Sequence, residues 1–425
     1  MDKYVIHGGK RLEGEIAVSG SKNASLPMYP AAILASEGKL VLTNIPRLDD
    51  VFTMLEVLGV LGVKSEWTGE HALSLDAAGA LSALAPYELV RKMRASVNVL
   101  GPLLARLGEA RVSLPGGCAI GTRPVDLHLK GLAALGAELA IENGYIVGKA
   151  KRLAGCRINL SGAHGPSRGA TANVLMAAVL ARGTTVIEGA AREPETSDLC
   201  RLLAAMGAKI SGVGTPTLEI EGVDSLHGCE FAVMGDIIEA GTYMVAAGIT
   251  RSRFTLAGCP LESMTPVAEK LAEAGVECAG EGGRVVVDGR GGKRPIEIRT
   301  GPWPEFPTDM QAQMMALATL APGISVFTET IYPDRFMHVP ELVRLGATIS
   351  REGATAVVHG MTALAGAHVM ATDLRASAAL VLAGLAAKGE THVHRVYHLD
   401  RGYEGMEKKL AALGADVSRM PDEDA

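Results

Sequence analysis

A short phrase returns six times along the chain: LGVLGVK at Leu58, LAALGAE at Leu132, LAAMGAK at Leu203, LAEAGVE at Leu271, LVRLGAT at Leu342 and LAALGAD at Leu410. Its shared glycines, Gly62, Gly136, Gly207, Gly275, Gly346 and Gly414, stand 68–74 residues apart. Repetition at a fixed spacing constrains a fold more than any composition does. A period this long exceeds that of the common small-repeat solenoids. Around each phrase the same order is legible. An Ala-rich apolar stretch such as ANVLMAAVLARG or QMMALATLAPG has helical length and stops at glycine. A β-branched run follows, as in TTVIEG, ISVFTE and ETHVHR. After a polar loop comes a second helix ending in the phrase, where the glycine suits a left-handed C-cap. A strand with an internal turn, such as TISREGATAVVHG, closes the unit. The unit is therefore helix, strand, loop, helix, strand, strand. Three units packing helices inward and sheets outward make a domain, and six make two. The fold class expected is α/β, and the recurring polar loop gathers at one end of each domain, where function concentrates.

At 425 residues the chain is too long for one ordinary core, which agrees with two domains. The net charge of −6 argues against a nucleic-acid partner. The opening segment MDKYVIHGGKRLEGEI has no apolar signal core, and no run of 18 apolar residues occurs. The expectation is a cytoplasmic protein with no membrane partner. None of the six cysteines forms a CxxC pair, and no histidine cluster has metal spacing. Cys156, Cys200, Cys229, Cys259 and Cys278 read as small buried hydrophobes.

Cys118 differs. It lies in LPGGCAIGTRP, after two glycines and before Arg123 and Pro124. Pro124 suits the first position of the helix PVDLHLKGLAALGA. Arg123 and a helix N-terminus together favour thiolate and attract an anion. This loop is the longest of the six, which marks it as a candidate lid. Elsewhere, SGSKNASLP puts Lys22 and Asn23 after a Ser-Gly-Ser turn, where backbone amides and an ammonium make an anion site. FPTDMQAQMMALATL puts Asp309 at a helix entry, and two readings stand: Thr308 or Asp309 as the N-cap, or a carboxylate facing a substrate hydroxyl. Spacing alone favours the cap. The tripeptide RAS heads two helices, at Arg94 and at Arg375, the latter after Asp373. An arginine there opposes the helix dipole, which points to a bound anion or a partner carboxylate. Lys22, Arg94, Arg123, Arg335, Arg375 and Arg401 together suit a substrate bearing several phosphate or carboxylate groups.

Eight segments, SKNASLP, RKMRAS, LPGGCAIGTRPVDLH, AAREPE, FPTDMQAQ, FMHVPEL, ATDLRASA and DRGYE, resemble in order the signature segments of the UDP-N-acetylglucosamine 1-carboxyvinyltransferase family of enolpyruvyl transferases. The resemblance spans residues 12–415. It implies two inside-out α/β barrel domains of three repeated units each. The first would take residues 22–232 and carry the cysteine loop. The second would take 1–21 and 233–425, with its sheet completed by the N-terminal segment and the active site in the cleft between domains. The implied reaction, the first committed step of peptidoglycan synthesis, moves enolpyruvyl from phosphoenolpyruvate to the 3′-hydroxyl of UDP-N-acetylglucosamine and releases phosphate, with no cofactor and no metal.

Carried onto this sequence, the resemblance makes Cys118 the general acid toward C3 and the target of the epoxide fosfomycin. Asp309 becomes the acceptor of the sugar hydroxyl's proton, and Lys22 and Arg401 complete the catalytic set. Lys22, Asn23, Arg123, Asp373, Arg375 and Arg401 would hold phosphoenolpyruvate. Asn23, Arg94, the run Arg123, Pro124, Val125, Asp126 and Leu127, with Ser167, Asp309 and Ile331, would hold the nucleotide sugar. The chain departs from the family's pattern at HGPSRGAT (Gly165 to Arg168 within it), at Ile237 after Asp236, and at Asn98. Two alternatives stay open. One is the related 5-enolpyruvylshikimate-3-phosphate synthase, which lacks the loop cysteine. The other is a non-catalytic paralogue that senses the nucleotide sugar.

Overall fold

The computed structural model of the chain describes residues 1–116, 125–163 and 165–422. These divide into two compact units, one of residues 1–19 and 235–422, the other of residues 20–116 and 125–234. Among the described residues each unit carries three four-stranded sheets and three internal helices.

In the unit that starts at residue 20, the internal helices are Lys22–Ala31, Leu100–Leu107 and Arg168–Ala178. In the other they are Ile237–Thr250, Gln311–Ala318 and Leu374–Ala386. Helix Gln311–Ala318 is buried at every position, and Ile237–Thr250 at all but its last. These three helices pack on one another, which is why the Ala-rich stretches show no polar face. Small residues set the spacing: a Cβ on Gly248 would fall 2.5 Å from Val276 and 3.2 Å from Leu317. The strands instead alternate. Ile324–Thr328 and Thr355–His359 bury every second residue against the helices and turn the others outward. Helices inside and sheets outside is the arrangement the repeats imply.

Every sheet is wired alike. Thr184–Glu188 pairs antiparallel with Thr217–Glu221, which pairs with Lys209–Ser211, and Arg157–Asn159 adds in parallel on the other edge. That parallel edge strand is absent from the unit read in the sequence. It runs only two or three residues, as in Leu84–Ala85 and Arg157–Asn159, too short to show a period. Distant segments close each ring of three. Glu230–Ala232 pairs with Leu40–Thr43, and Glu15–Ala17 with Arg253–Ala257. Asp2–His7 lies between Glu390–His394 and Asp416–Pro421, antiparallel to both, so the N-terminal segment completes the last sheet.

The six recurring glycines have φ between +92° and +105°. Each closes a Schellman motif. The amide of Gly62 bonds to Gly59 O and that of Val63 to Leu58 O; Gly346 and Ala347 do the same onto Val343 and Leu342. The leucine opening each phrase is fully buried, and the residue after each glycine is buried too. The phrase recurs because this one geometry needs a left-handed residue flanked by apolar anchors.

Candidate active site

Asp309 is not a cap. A 3-10 turn, Thr308–Met310, precedes helix Gln311–Ala318, and neither start has a side-chain cap. The Asp309 carboxylate instead bridges two arginines. Arg335 Nη1 donates to Oδ1 at 2.8 Å and Arg375 Nη2 donates to Oδ2 at 3.1 Å. Arg375, 4% exposed, heads helix Leu374–Ala386, and Arg335 comes from the loop after strand Ile324–Thr328. Burial works against the charge on Arg375, but Asp309 and then Tyr403 more than offset it, so its pKa lies above the ordinary value. The arginine that opposes a helix dipole has found a partner carboxylate, one of the two outcomes expected.

The same helix is capped by Asp373, whose Oδ1 accepts from the amides of Arg375 (2.9 Å) and Ala376 (3.1 Å). Tyr403 ties the helices together. Its hydroxyl lies 2.9 Å from Thr242 Oγ1 and 3.3 Å from both Gln313 Nε2 and Arg375 Nη1. Burial raises the Tyr403 phenol pKa against the pull of Arg375, so the hydroxyl stays protonated. Arg401 sits in the turn after Val396–His398, half-buried. Burial first, then Arg401, hold the His398 pKa down, while Asp373 opposes them. His338, which is fully buried where His398 is half-buried, is pushed down to about 4, chiefly by burial. Ile331 belongs to this unit as well, and its amide donates to Glu329 Oε1 at 2.9 Å. Asp309, Arg335, Arg375, Asp373, Arg401 and Ile331 thus share one unit, and the first three are in direct contact.

The other unit holds a second set. Lys22 opens its helix beneath the Ser21 cap and is buried, its Nζ 2.6 Å from Asp50 Oδ2. Asn23 follows it, half-buried. Arg94 begins a 3-10 turn, Arg94–Val99, rather than the α-helix itself, which starts at Leu100. Arg94 adds to the burial that holds His128 down to about 3. Ser167 caps helix Arg168–Ala178 through the amide of Ala170 at 3.3 Å. Next to it, Arg168 Nη1 donates to the buried Glu195 at 3.2 Å. Val125, Asp126 and Leu127 lie at the start of helix Asp126–Ala134, with Val125 in the cap position. The helix begins two residues after Pro124, not at it. Cys118, Arg123 and Pro124 lie outside the described residues.

Of the five described cysteines, Cys200 and Cys259 are buried, while Cys156, Cys229 and Cys278 are half-buried, more open than a core reading allows. Burial still raises all five thiols, Cys200, Cys259 and Cys278 to about 12. In each of them burial is the largest influence, and it outweighs even the Arg201 charge beside Cys200, so the reactive thiolate is disfavoured.

Sequence reasoning missed Asp50, Glu329 and Tyr403, and it read Thr308 only as a possible cap, which it is not. The signals were faint: an acid pair opening a helix (RLDDVF), an acid between threonines (TETIY), and one tyrosine in a glycine turn (RGYEG).

The family model for EPSP synthase (3-phosphoshikimate 1-carboxyvinyltransferase) matches residues 6–410. The chain belongs to this family. It is 54% identical over 424 residues to the UDP-N-acetylglucosamine 1-carboxyvinyltransferase of Oleidesulfovibrio alaskensis, covering 99% of this chain and 100% of that one. The protein of the same name from Gluconobacter oxydans is also 54% identical, with the same coverage. Among solved structures, the enolpyruvyl transferase NikO of Streptomyces tendae superposes with a TM-score of 0.89 at 27% identity, covering 99% of both chains. An EPSP synthase of Acinetobacter baumannii gives 0.75 at 19% identity over 99% of this chain and all of that one, a likeness of fold alone. Among the described residues no helix is long and apolar enough to cross a membrane.

Proposed function

We propose that the chain is an enzyme that transfers the enolpyruvyl group of phosphoenolpyruvate to the 3′-hydroxyl of UDP-N-acetylglucosamine and releases phosphate. The observation that carries the chemistry is the Asp309 carboxylate clasped between two buried guanidinium groups. The choice of acceptor rests on the relatives' names and on the eight matching segments.

In this mechanism the sugar hydroxyl gives its proton to Asp309 as its oxygen bonds to C2 of phosphoenolpyruvate. Cys118 delivers a proton to C3. The tetrahedral intermediate then breaks its C2–phosphate oxygen bond, the electron pair leaving with phosphate, and C3 returns a proton to the thiolate of Cys118 to restore the double bond. Proton transfer by positioned groups of this kind accelerates a reaction by about 10²–10⁴. Lys22, Arg123 and Arg401 neutralise the phosphate and carboxylate, and fixed cations need no reorganisation as charge shifts. Asp373 and Arg375 hold that cation set in place. Asn23, Arg94, Val125, Asp126, Leu127, Ser167 and Ile331 contact the nucleotide sugar. Both substrates are phosphorylated metabolites of the cytoplasm, and the reaction belongs there, at the entry to peptidoglycan synthesis.

The test is phosphate release from phosphoenolpyruvate by the purified chain, with and without UDP-N-acetylglucosamine. Release that needs the nucleotide sugar is expected. Release at the same rate without it, or none with both present, contradicts the proposal.

A further inference from the structure

Glu329 is a carboxylate that no step above uses, linked to Asp309 through Thr308 and Arg335. It follows strand Ile324–Thr328 and is fully buried. Its Oε1 accepts from Thr300 Oγ1 at 2.8 Å and from the amides of Ile331 at 2.9 Å and Tyr332 at 3.0 Å. Its Oε2 accepts from Thr308 Oγ1 at 2.8 Å. A hydroxyl has one proton to give. Because Thr308 gives its proton to Glu329, its oxygen lone pair is turned to Arg335, whose Nη1 donates to it at 3.0 Å. That same Nη1 donates to Asp309 Oδ1.

We propose that Glu329 is a positioning residue for the transfer reaction: through the Thr308 hydroxyl it fixes Arg335 against the base Asp309, and through two backbone amides it fixes the loop that carries Ile331. The inference rests on the function proposed above. A buried carboxylate is costly unless its oxygens are met by donors, and four donors meet these two. They come from the strand edge at Thr300, the turn at Thr308 and the loop at Ile331 and Tyr332, so one side chain sets the mutual register of base and acceptor loop. Simple packing would need no anion here, and an apolar side chain would leave those donors unpaired.

The two limbs separate by mutation. In Glu329→Gln the amide oxygen keeps the three donors on the Oε1 side, and the amide NH₂ then faces Thr308. Thr308 must accept that hydrogen bond, and its own proton swings toward the Arg335 guanidinium. Thr308→Val removes the relay without touching the loop. The expected result is a fall in kcat of about tenfold in each, the scale of one lost charge-assisted hydrogen bond, with the nucleotide-sugar KM within about twofold. Thr308→Ser should restore most of the rate. The double variant should be no slower than Glu329→Gln alone, because both break one limb. In an Asp309→Asn background, Glu329→Gln should cost nothing further in kcat, since the group it positions is gone; a general loss of fold would still show there. Wild-type kcat in Thr308→Val, or an undiminished Glu329→Gln effect without Asp309, overturns the inference. If wild type instead uses shikimate 3-phosphate, the acceptor reading fails and the same variants are measured on that acceptor. No wild-type turnover on either acceptor overturns both.

Discussion

At the scale of the residue, the decisive change in reading is Asp309. Its place one step inside a helix entry argues for a cap, yet its partners are Arg335 and Arg375, 26 and 66 residues further on. Local spacing cannot show a contact of that range, which is why it favours a cap at Thr308 or Asp309 and gives no sign of Glu329. Asp373, by contrast, caps its helix, so identical residue types at matching helix heads divide the work. If Asp309 is the base, Asp309→Asn lowers kcat by about 10²–10⁴ while binding of the nucleotide sugar, read by calorimetry, changes little. Near-normal turnover would leave Asp309 a structural carboxylate only. The raised thiols of Cys156, Cys200, Cys229, Cys259 and Cys278 yield a second expectation. Fosfomycin with UDP-N-acetylglucosamine should modify Cys118 alone, read by peptide mass spectrometry. Cys118→Asp should take no adduct yet keep turnover, since a carboxylic acid can also donate a proton. Labelling elsewhere, or none in an active enzyme, removes Cys118 from its role.

At the scale of the element, the repeats were legible because one backbone geometry forces one phrase. Gly136 and Gly275 separate its two demands. Both have φ near +95°, at +96° and +92°. A Cβ on Gly136 meets nothing within 4 Å, whereas one on Gly275 falls 1.9 Å from Gly292 O. Gly136→Ala should cost about 1–2 kcal/mol, the strain of a left-handed alanine, and Gly275→Ala clearly more, since backbone must move. Denaturant unfolding of both variants checks the order, and equal losses would show that the clash relaxes freely. The edge strands stayed illegible for the opposite reason. A strand of two or three residues has too few alternations to reveal a face, and its partner can lie at the other end of the unit, as Glu230–Ala232 does to Leu40–Thr43.

At the scale of the whole molecule, each unit buries a histidine that folding keeps neutral: His128 at about 3 and His338 at about 4, against an ordinary 6.5. Between those values and 6.5 the unfolded chain binds more protons than the folded one. Stability contributed here is present above pH 6.5 and is lost as pH falls toward 4 and then 3. Melting temperature should therefore drop through that window, and less steeply in His128→Gln; an unchanged slope would mean that His128 is protonated in the folded chain. The choice of acceptor can be tested in one vessel. The chain is given phosphoenolpyruvate with equal UDP-N-acetylglucosamine and shikimate 3-phosphate, and the products are weighed by mass spectrometry. The enolpyruvyl group should appear on the nucleotide sugar alone, bound at its 3′-oxygen; enolpyruvyl on shikimate 3-phosphate, or on neither acceptor, would contradict the proposed function.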